Sequence, residues 1–273
     1  MMSTAKKQLS NIDKEHVLNE VIKIAQRTGQ FIRHEGENFD RSKIEEKSLN
    51  NLVSYVDLEA EKMIVQTLKF TIPDSGFITE EGTATEKAPE FNWVVDPLDG
   101  TTNFLHGISP FSVSIALMQY EKVIAAVVYE ITRDECFHAT DESPAFLNRK
   151  EIIASPVEKF KDGLYITGFP YREFSNIDQF SGTMKYFVQN THGLRRTGSA
   201  AADLAYVACG RVEGFFEIGL NPWDVAAGAL LIERAGGKVT DYAGKSDHLF
   251  GSQIIASNGH VHDGMLAAIK KFY

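Results

Sequence analysis

The sequence predicts an α+β first half followed by an α/β second half, on three observations. An amphipathic helix opens the chain, strands including one hairpin fill the middle, and after about Ser155 strands alternate with helices. Neither an internal repeat nor a low-complexity linker separates the approximate halves 1–150 and 151–273, so all 273 residues are read as one unit.

Val17, Val21, Ile24, Ala25, Thr28 and Ile32 recur at helical spacing and predict one helix from Asn11 to Ile32. Gly36 and the charged stretch Asp40 to Lys47 then read as a loop. Asp57 is placed to cap a second helix that stops before Pro73. Strands are predicted at Gly76–Thr79, Phe91–Val95, Phe111–Met118, Val123–Glu130 and Cys136–Thr140. In the third of these, Phe111, Val113, Ile115 and Leu117 alternate with Ser112, Ser114 and Ala116, the period of a half-buried strand. It pairs with Val123–Glu130 as an antiparallel hairpin. Pro97 and Gly100 force a turn directly after Val95.

In the second half, strands are expected at Leu164–Thr167, Val212–Glu217 and Gly237–Asp241, and helices at Asp178–Gln189, Ala200–Cys209 and Pro222–Ala235. Gly210 and Gly236 mark helix stops, and Pro222 a helix start.

Composition is ordinary for a globular chain, 43% hydrophobic and 24% charged. The net charge of -9 argues against a nucleic-acid partner, because phosphate backbones are held by neutralising Lys and Arg. No stretch approaches the about 20 apolar residues of a membrane span, and Met1 to His16 lack the apolar core of a signal peptide. The expectation is a cytoplasmic protein. Cys136 and Cys209 show no metal spacing and read as reduced thiols, with one long-range disulfide as the alternative.

Four segments carry candidate chemistry. Asp96 and Asp99 project from the end of the apolar strand Trp93–Val95, in Asp-Pro and Asp-Gly pairs that are also ordinary turn dipeptides. Glu80 and Glu81 close the strand Gly76–Thr79, where solvated loop charges are also common. Asp224 lies in the first turn of a helix, a place where a carboxylate also simply stabilises the helix end. Thr197-Gly198-Ser199-Ala200-Ala201 opens another helix, whose N–H groups suit an oxyanion if Ser199 is more than a cap. His106 is read as structural. P-loop, G-x-G-x-x-G, G-x-S-x-G, H-E-x-x-H and C-x-x-C motifs are all missing. A phosphate entering so acidic a site needs bound cations, and a ligand set of carboxylates without His or Cys favours Mg²⁺ or Mn²⁺ over zinc.

In this order, Glu80-Glu81, the run Trp93 to Phe104, Gly198-Ser199-Ala200, and Trp223 to Gly228 continuing to Gly237 resemble inositol monophosphatases. The resemblance covers about Lys47 to Asp241. It implies a layered α/β/α/β/α fold and a lithium-inhibited, Mg²⁺-dependent phosphomonoesterase, commonly a homodimer. Carried over, Glu80, Asp96, Asp99 and the Leu98 carbonyl hold two metal ions or three, with Asp224 completing the second site. Thr101, hydrogen-bonded to Asp57, and Glu80 act on the attacking water; Gly100, Thr101, Gly198, Ser199, Ala200, Glu217 and Asp224 meet the substrate. Lys47 matches a lysine near the site by approximate spacing. Thr102 stands where relatives acting on 3′-phosphoadenosine 5′-phosphate more often have Lys, and Glu217 matches a glutamate that contacts inositol hydroxyls. The implied substrate is inositol 1-phosphate; fructose 1,6-bisphosphate or a nucleotide, and a non-catalytic metal- or phosphate-binding role, are the alternatives.

Overall fold

Helix α1 (Lys14–Glu37) buries all six residues of the predicted apolar stripe. It runs about one turn past Ile32, through Gly36, where the sequence predicts a loop. The reason is packing. A Cβ at Gly36 would lie 3.0 Å from the ring of Phe104, and one at Gly29 would lie 2.3 Å from that of Tyr129. Each helical glycine costs about 1 kcal/mol, against about 1.5–3 kcal/mol from each buried Val or Ile beside it, so the helix persists.

The computed structural model describes residues 12–37, 45–48, 51–170 and 174–273, with 45–48 and 51–53 as backbone alone. Asn11 and most of the expected loop after Gly36 lie outside these residues. Strands β1 (Glu45–Ser48) and β2 (Asn51–Val53) pair antiparallel where the tail of that loop was expected. Helix α2 spans Tyr55–Thr71. Its cap is Ser54, not Asp57; Asp57 sits three positions in and closes a capping box, and the helix ends before Pro73.

Strands β3 (Gly76–Thr79), β4 (Phe91–Asp99), β5 (Ser112–Gln119), β6 (Lys122–Glu130), β7 (Glu135–Thr140), β8 (Phe146–Leu147) and β9 (Lys150–Glu151) lie side by side in chain order. β3 and β4 run parallel, and the rest of this sheet is an antiparallel meander containing the predicted hairpin. The short helix α3 (Thr101–His106) follows β4. Strand β5 departs from its half-buried pattern. It is buried on both faces, because Val113, Ile115 and Leu117 pack toward α1 and α2 while Ala116 and Met118 pack toward the second half of the chain.

The remaining elements are β10 (Leu164–Thr167), α4 (Ile177–Asn190), β11 (Gly193–Arg195), α5 (Ala200–Ala208), β12 (Gly214–Ile218), α6 (Pro222–Arg234), β13 (Lys238–Thr240), β14 (Gln253–Ser257) and α7 (His262–Ile269). Their sheet has the order β11-β10-β12-β14-β13 and is mixed, since β14 runs antiparallel to both neighbours. The sequence reading has no strand at β11 or β14 and no helix at α7. The layers stack as α1 and α2, the first sheet, α5 and α6, the second sheet, then α4 and α7. Helices α5 and α6 are thus enclosed between two sheets, and their stripes of Ala, Val and Leu are almost entirely buried.

His262 pins α7 to the second sheet, with Nε2 at 2.9 Å from Thr240 Oγ1 and Nδ1 at 2.9 Å from Ser257 Oγ. Burial pushes the ring's pKa down to about 4. Between pH 6.5 and 4 the unfolded chain binds a proton here that the folded chain does not, so stability from this residue is lost as pH falls, by roughly 3 kcal/mol in all. Urea titrations from pH 7 to 4 should show the stability gap between wild type and His262→Gln narrowing; a constant gap would contradict this.

Candidate active site

Strand β4 does not stop at Val95. It continues to Asp99 with a bulge, Asp96 opposing Ser114 and Asp99 opposing Ser112. Three residues advance on β4 for two on β5. With strict alternation Asp96 and Asp99 would face opposite sides of the sheet; the extra residue brings both to one side. Pro97, with no N–H to give the ladder, sits inside the bulge. The turn expected after Val95 therefore comes at Gly100, whose φ of 92° opens α3.

Gly100 also meets Gly198. A Cβ on Gly100 would lie 3.1 Å from the Gly198 carbonyl, so two separately predicted segments touch here. Asn103 fastens them, donating from Nδ2 to the carbonyls of Pro110 (2.7 Å) and Thr197 (2.8 Å). Asp99 accepts hydrogen bonds from Ser199 Oγ (2.5 Å) and Ala201 N–H (2.7 Å). The start of α5, where Gly198, Ser199 and Ala200 are expected to meet the substrate, positions the Asp99 carboxylate, and Ser199 is also the helix cap.

Asp224 enters from the start of α6, where it completes a capping box with Asn221. Ser114 Oγ donates to the Trp223 carbonyl at 3.0 Å, which ties this helix end to β5. Single oxygens of Asp96, Asp99 and Asp224 lie within 4.8 Å of one another. Glu80 follows β3 and hydrogen-bonds with Asp96. Its loop is clamped by the buried Glu61 of α2, which accepts from the N–H groups of Glu81 and Thr83, each at 2.7 Å.

Beside the cluster, Thr101 Oγ1 lies 3.0 Å from Asp57 Oδ1 and 3.1 Å from the Leu98 carbonyl. Its one proton goes to either acceptor, not to both. Asp57 is fixed by Ser54, whose N–H (2.8 Å) and hydroxyl (2.7 Å) both donate to it. Burial raises the Asp57 pKa against these hydrogen bonds.

The cluster is electrostatically unbalanced. Burial and then the Asp224 charge push Glu80 up to about 8. Asp96 is driven well above the carboxylate range by burial, Glu80, Asp99 and Asp224, and burial also raises Asp99 against the hydrogen bonds from Ser199 and Ala201. Such mutual repulsion, from hard oxygen donors on converging elements, is what a divalent cation such as Mg²⁺ or Mn²⁺ relieves. The residues present fit that ion.

Glu217, in β12, is buried, and the charges of Asp203, Asp224 and Asp99 add to burial in raising its pKa. The side chain of Lys47, in β1, lies outside the described residues. His106 is exposed at the end of α3. The sequence reading missed Glu61, Ser112, Ser114, Asn103 and Asp203. Ser112 and Ser114 pass for the solvent face of a strand, and only the covered sheet makes them ties, Ser112 Oγ lying 3.0 Å from Ser199 Oγ. Glu61 had a signal, one helical turn after Asp57.

The chain matches the model of the inositol monophosphatase family over residues 13–272. It is 40% identical over 243 residues, 89% of this chain and 91% of the relative, to Nus factor SuhB of Vibrio cholerae. Among solved structures it is similar to extragenic suppressor protein suhB from Bartonella henselae, with a TM-score of 0.90 and 36% identity over 94% of this chain and all of that one. Inositol monophosphatase from Anabaena superposes with a TM-score of 0.84 and 31% identity, over 96% of this chain and 97% of that one. By sequence and by its layered α/β/α/β/α architecture, this chain belongs to the inositol monophosphatase family.

Proposed function

We propose that this protein hydrolyses a small phosphomonoester with Mg²⁺, with inositol 1-phosphate as the reference substrate. The observation that carries the reading is the convergence of Asp96, Asp99 and Asp224, with Glu80 bonded to Asp96, beside the Thr101–Asp57 pair. Glu80, Asp96, Asp99, Asp224 and the Leu98 carbonyl would hold the metal. Bound Mg²⁺ would neutralise the phosphate and lower the pKa of the attacking water. With the Leu98 carbonyl serving as a metal ligand, the Thr101 proton would be left to Asp57, and the Thr101 oxygen would be available to accept a proton from the attacking water. Asp57, anchored by Ser54, then holds that hydroxyl in place. Gly100 brings the start of α3 close to the cluster, and Glu217 supplies an acceptor for hydroxyls of the leaving alcohol. The reading carries with it a homodimer in the cytoplasm.

A second reading rests on the name Nus factor SuhB carried by relatives at 40% identity. In it the acidic site binds metal or phosphate without turnover, and the protein acts through a partner. Phosphate release from inositol 1-phosphate, fructose 1,6-bisphosphate and a nucleotide, with Mg²⁺, with EDTA and with Mg²⁺ plus Li⁺, separates the two. Mg²⁺-dependent, Li⁺-inhibited release supports hydrolysis; no release from any ester supports the second.

Asp96→Asn should lower kcat by more than the about 10–100-fold seen for groups one shell removed from a metal. Its fold should remain intact, because the change removes a repelled charge and no packing; retention of wild-type turnover in steady-state assays would contradict the assignment. Thr101→Val should reduce kcat by about 10²–10⁴-fold with Mg²⁺ affinity nearly unchanged by calorimetry. A matching loss of Mg²⁺ affinity would make Thr101 a metal-site residue instead.

The metal-free protein carries a further expectation. Glu80 titrates at about 8 when folded and near 4.3 when unfolded, so between these values the folded state holds the extra proton. Stability in EDTA should therefore fall as pH rises from about 4.3 to 8. Mg²⁺ should raise Tm more at pH 8 than at pH 6, measured by calorimetry; an equal gain would contradict the shift.

A further inference from the structure

Helix α2 carries two buried carboxylates four residues apart, a spacing that places them on one face of the helix. The first, Asp57, meets Thr101 Oγ1. The second, Glu61, is 0% exposed, and among the described residues its only partners are two backbone N–H groups. Oε2 accepts from Glu81 and Oε1 from Thr83, each at 2.7 Å. Both N–H groups belong to the turn that follows Glu80. Gly82, with a φ of 70°, bends the chain between them so that they converge on one carboxylate.

That turn lies at the surface. Gly82 and Thr83 are exposed, so water could serve these N–H groups without any carboxylate being withdrawn from solvent. Burying a carboxylate against two amide hydrogens, with no cation beside it, is a poor route to stability. What the arrangement provides is direction. The Glu80 N–H donates to the Val95 carbonyl at 3.2 Å, which ties the peptide before Glu80 to β4. Glu61 ties the peptide after it, through the Glu81 N–H. A residue has only two soft backbone dihedrals, and with both flanking peptides held those of Glu80 are fixed. Its side chain therefore leaves the backbone in one direction, toward Asp96.

We propose that Glu61 is a positioning residue for Glu80, holding it at the metal and the attacking water through the turn 81–83. The inference rests on the metal reading above, in which Glu80 is a ligand. One face of α2 then sets both groups assigned to the water, Thr101 through Asp57 and Glu80 through Glu61. Glu61→Gln keeps the side-chain volume but offers a single acceptor oxygen, and its amide NH₂ meets the second N–H donor to donor. Glu80 then points in several directions, and the ion is held less well.

The test measures Mg²⁺ affinity by calorimetry, well below Tm, and steady-state hydrolysis of inositol 1-phosphate in Glu61→Gln, Glu61→Asp and Glu213→Gln. Glu213 is the control. It too is buried, accepting from the Leu164 N–H (2.6 Å) and Ser155 Oγ (2.8 Å), but it precedes β12 at the end opposite Glu217. Glu61→Gln should weaken Mg²⁺ binding and lower kcat, each by about 10–100-fold, with KM for the ester nearly unchanged because the alcohol side is untouched. Glu61→Asp keeps both acceptors and lacks one methylene; it should recover part of the loss, and it carries the test if Glu61→Gln does not fold. Glu213→Gln should lower Tm and leave kcat and Mg²⁺ affinity at their wild-type values. Glu61 variants that behave in the same way, losing Tm alone, would overturn the proposal. A wild type that binds no Mg²⁺ would overturn the metal reading and the proposal with it. One that binds Mg²⁺ without turnover would overturn the phosphatase reading alone, and the Mg²⁺ affinities would still decide the role of Glu61.

Discussion

Carboxylates brought together below the surface repel one another, and the architecture of this protein is organised around that repulsion. At separations near 5 Å each charged pair costs on the order of 3 kcal/mol at an effective dielectric of about 20. Asp96, Asp99 and Asp224 present three such pairs, and Glu80 adds to them. Without a cation the cluster responds by holding protons, burial and then the Asp224 charge pushing Glu80 up to about 8.

Several features of the chain hold the groups against this cost. The β4 bulge turns two aspartates to one side, the capping box at α6 orients Asp224, and Ser199 with the Ala201 N–H fixes Asp99. Glu61 clamps the loop behind Glu80, and Ser112 and Ser114 bind the helix ends to β5. The starts of α5 and α6 also bring positive helix ends toward the acids. A helix end contributes about 0.3–1 kcal/mol, too little to balance the pairwise repulsion, so the remaining compensation must come from bound cations or protons. The layered fold serves the same geometry. Enclosing α5 and α6 between two sheets holds both helices against the interior strands of the first sheet, α5 against β5 and α6 against β4 and β5.

Much of this was legible in the sequence, and the exceptions have physical causes. Strands β3 and β10, the hairpin and the start of α6 follow from periodicity and punctuation. The bulge was not legible, because Pro97 and Gly100 give the same signal for a turn as for a kinked strand. Ser54 as the true cap of α2 lay three residues from the Asp57 that looks like one. The serines of β5 are a tertiary effect, since their alternation means solvent until a second layer covers that face. Glu61 escaped because it fits a helical stripe, although nothing apolar about it justifies burial. The pocket lined by Glu217 also gathers Phe169 and Phe180 with Gln253 and Tyr273 from the far end of the chain, and no local pattern announces it.

The most direct test of the account is anomalous X-ray diffraction from crystals soaked in Mn²⁺, collected at the manganese edge. It predicts density bonded to oxygens of Asp96, Asp99 and Asp224, with Glu80 and the Leu98 carbonyl turned toward the same ions. Crystals that take up Mn²⁺ elsewhere, or that leave these carboxylates without any anomalous density at saturating concentration, would contradict it.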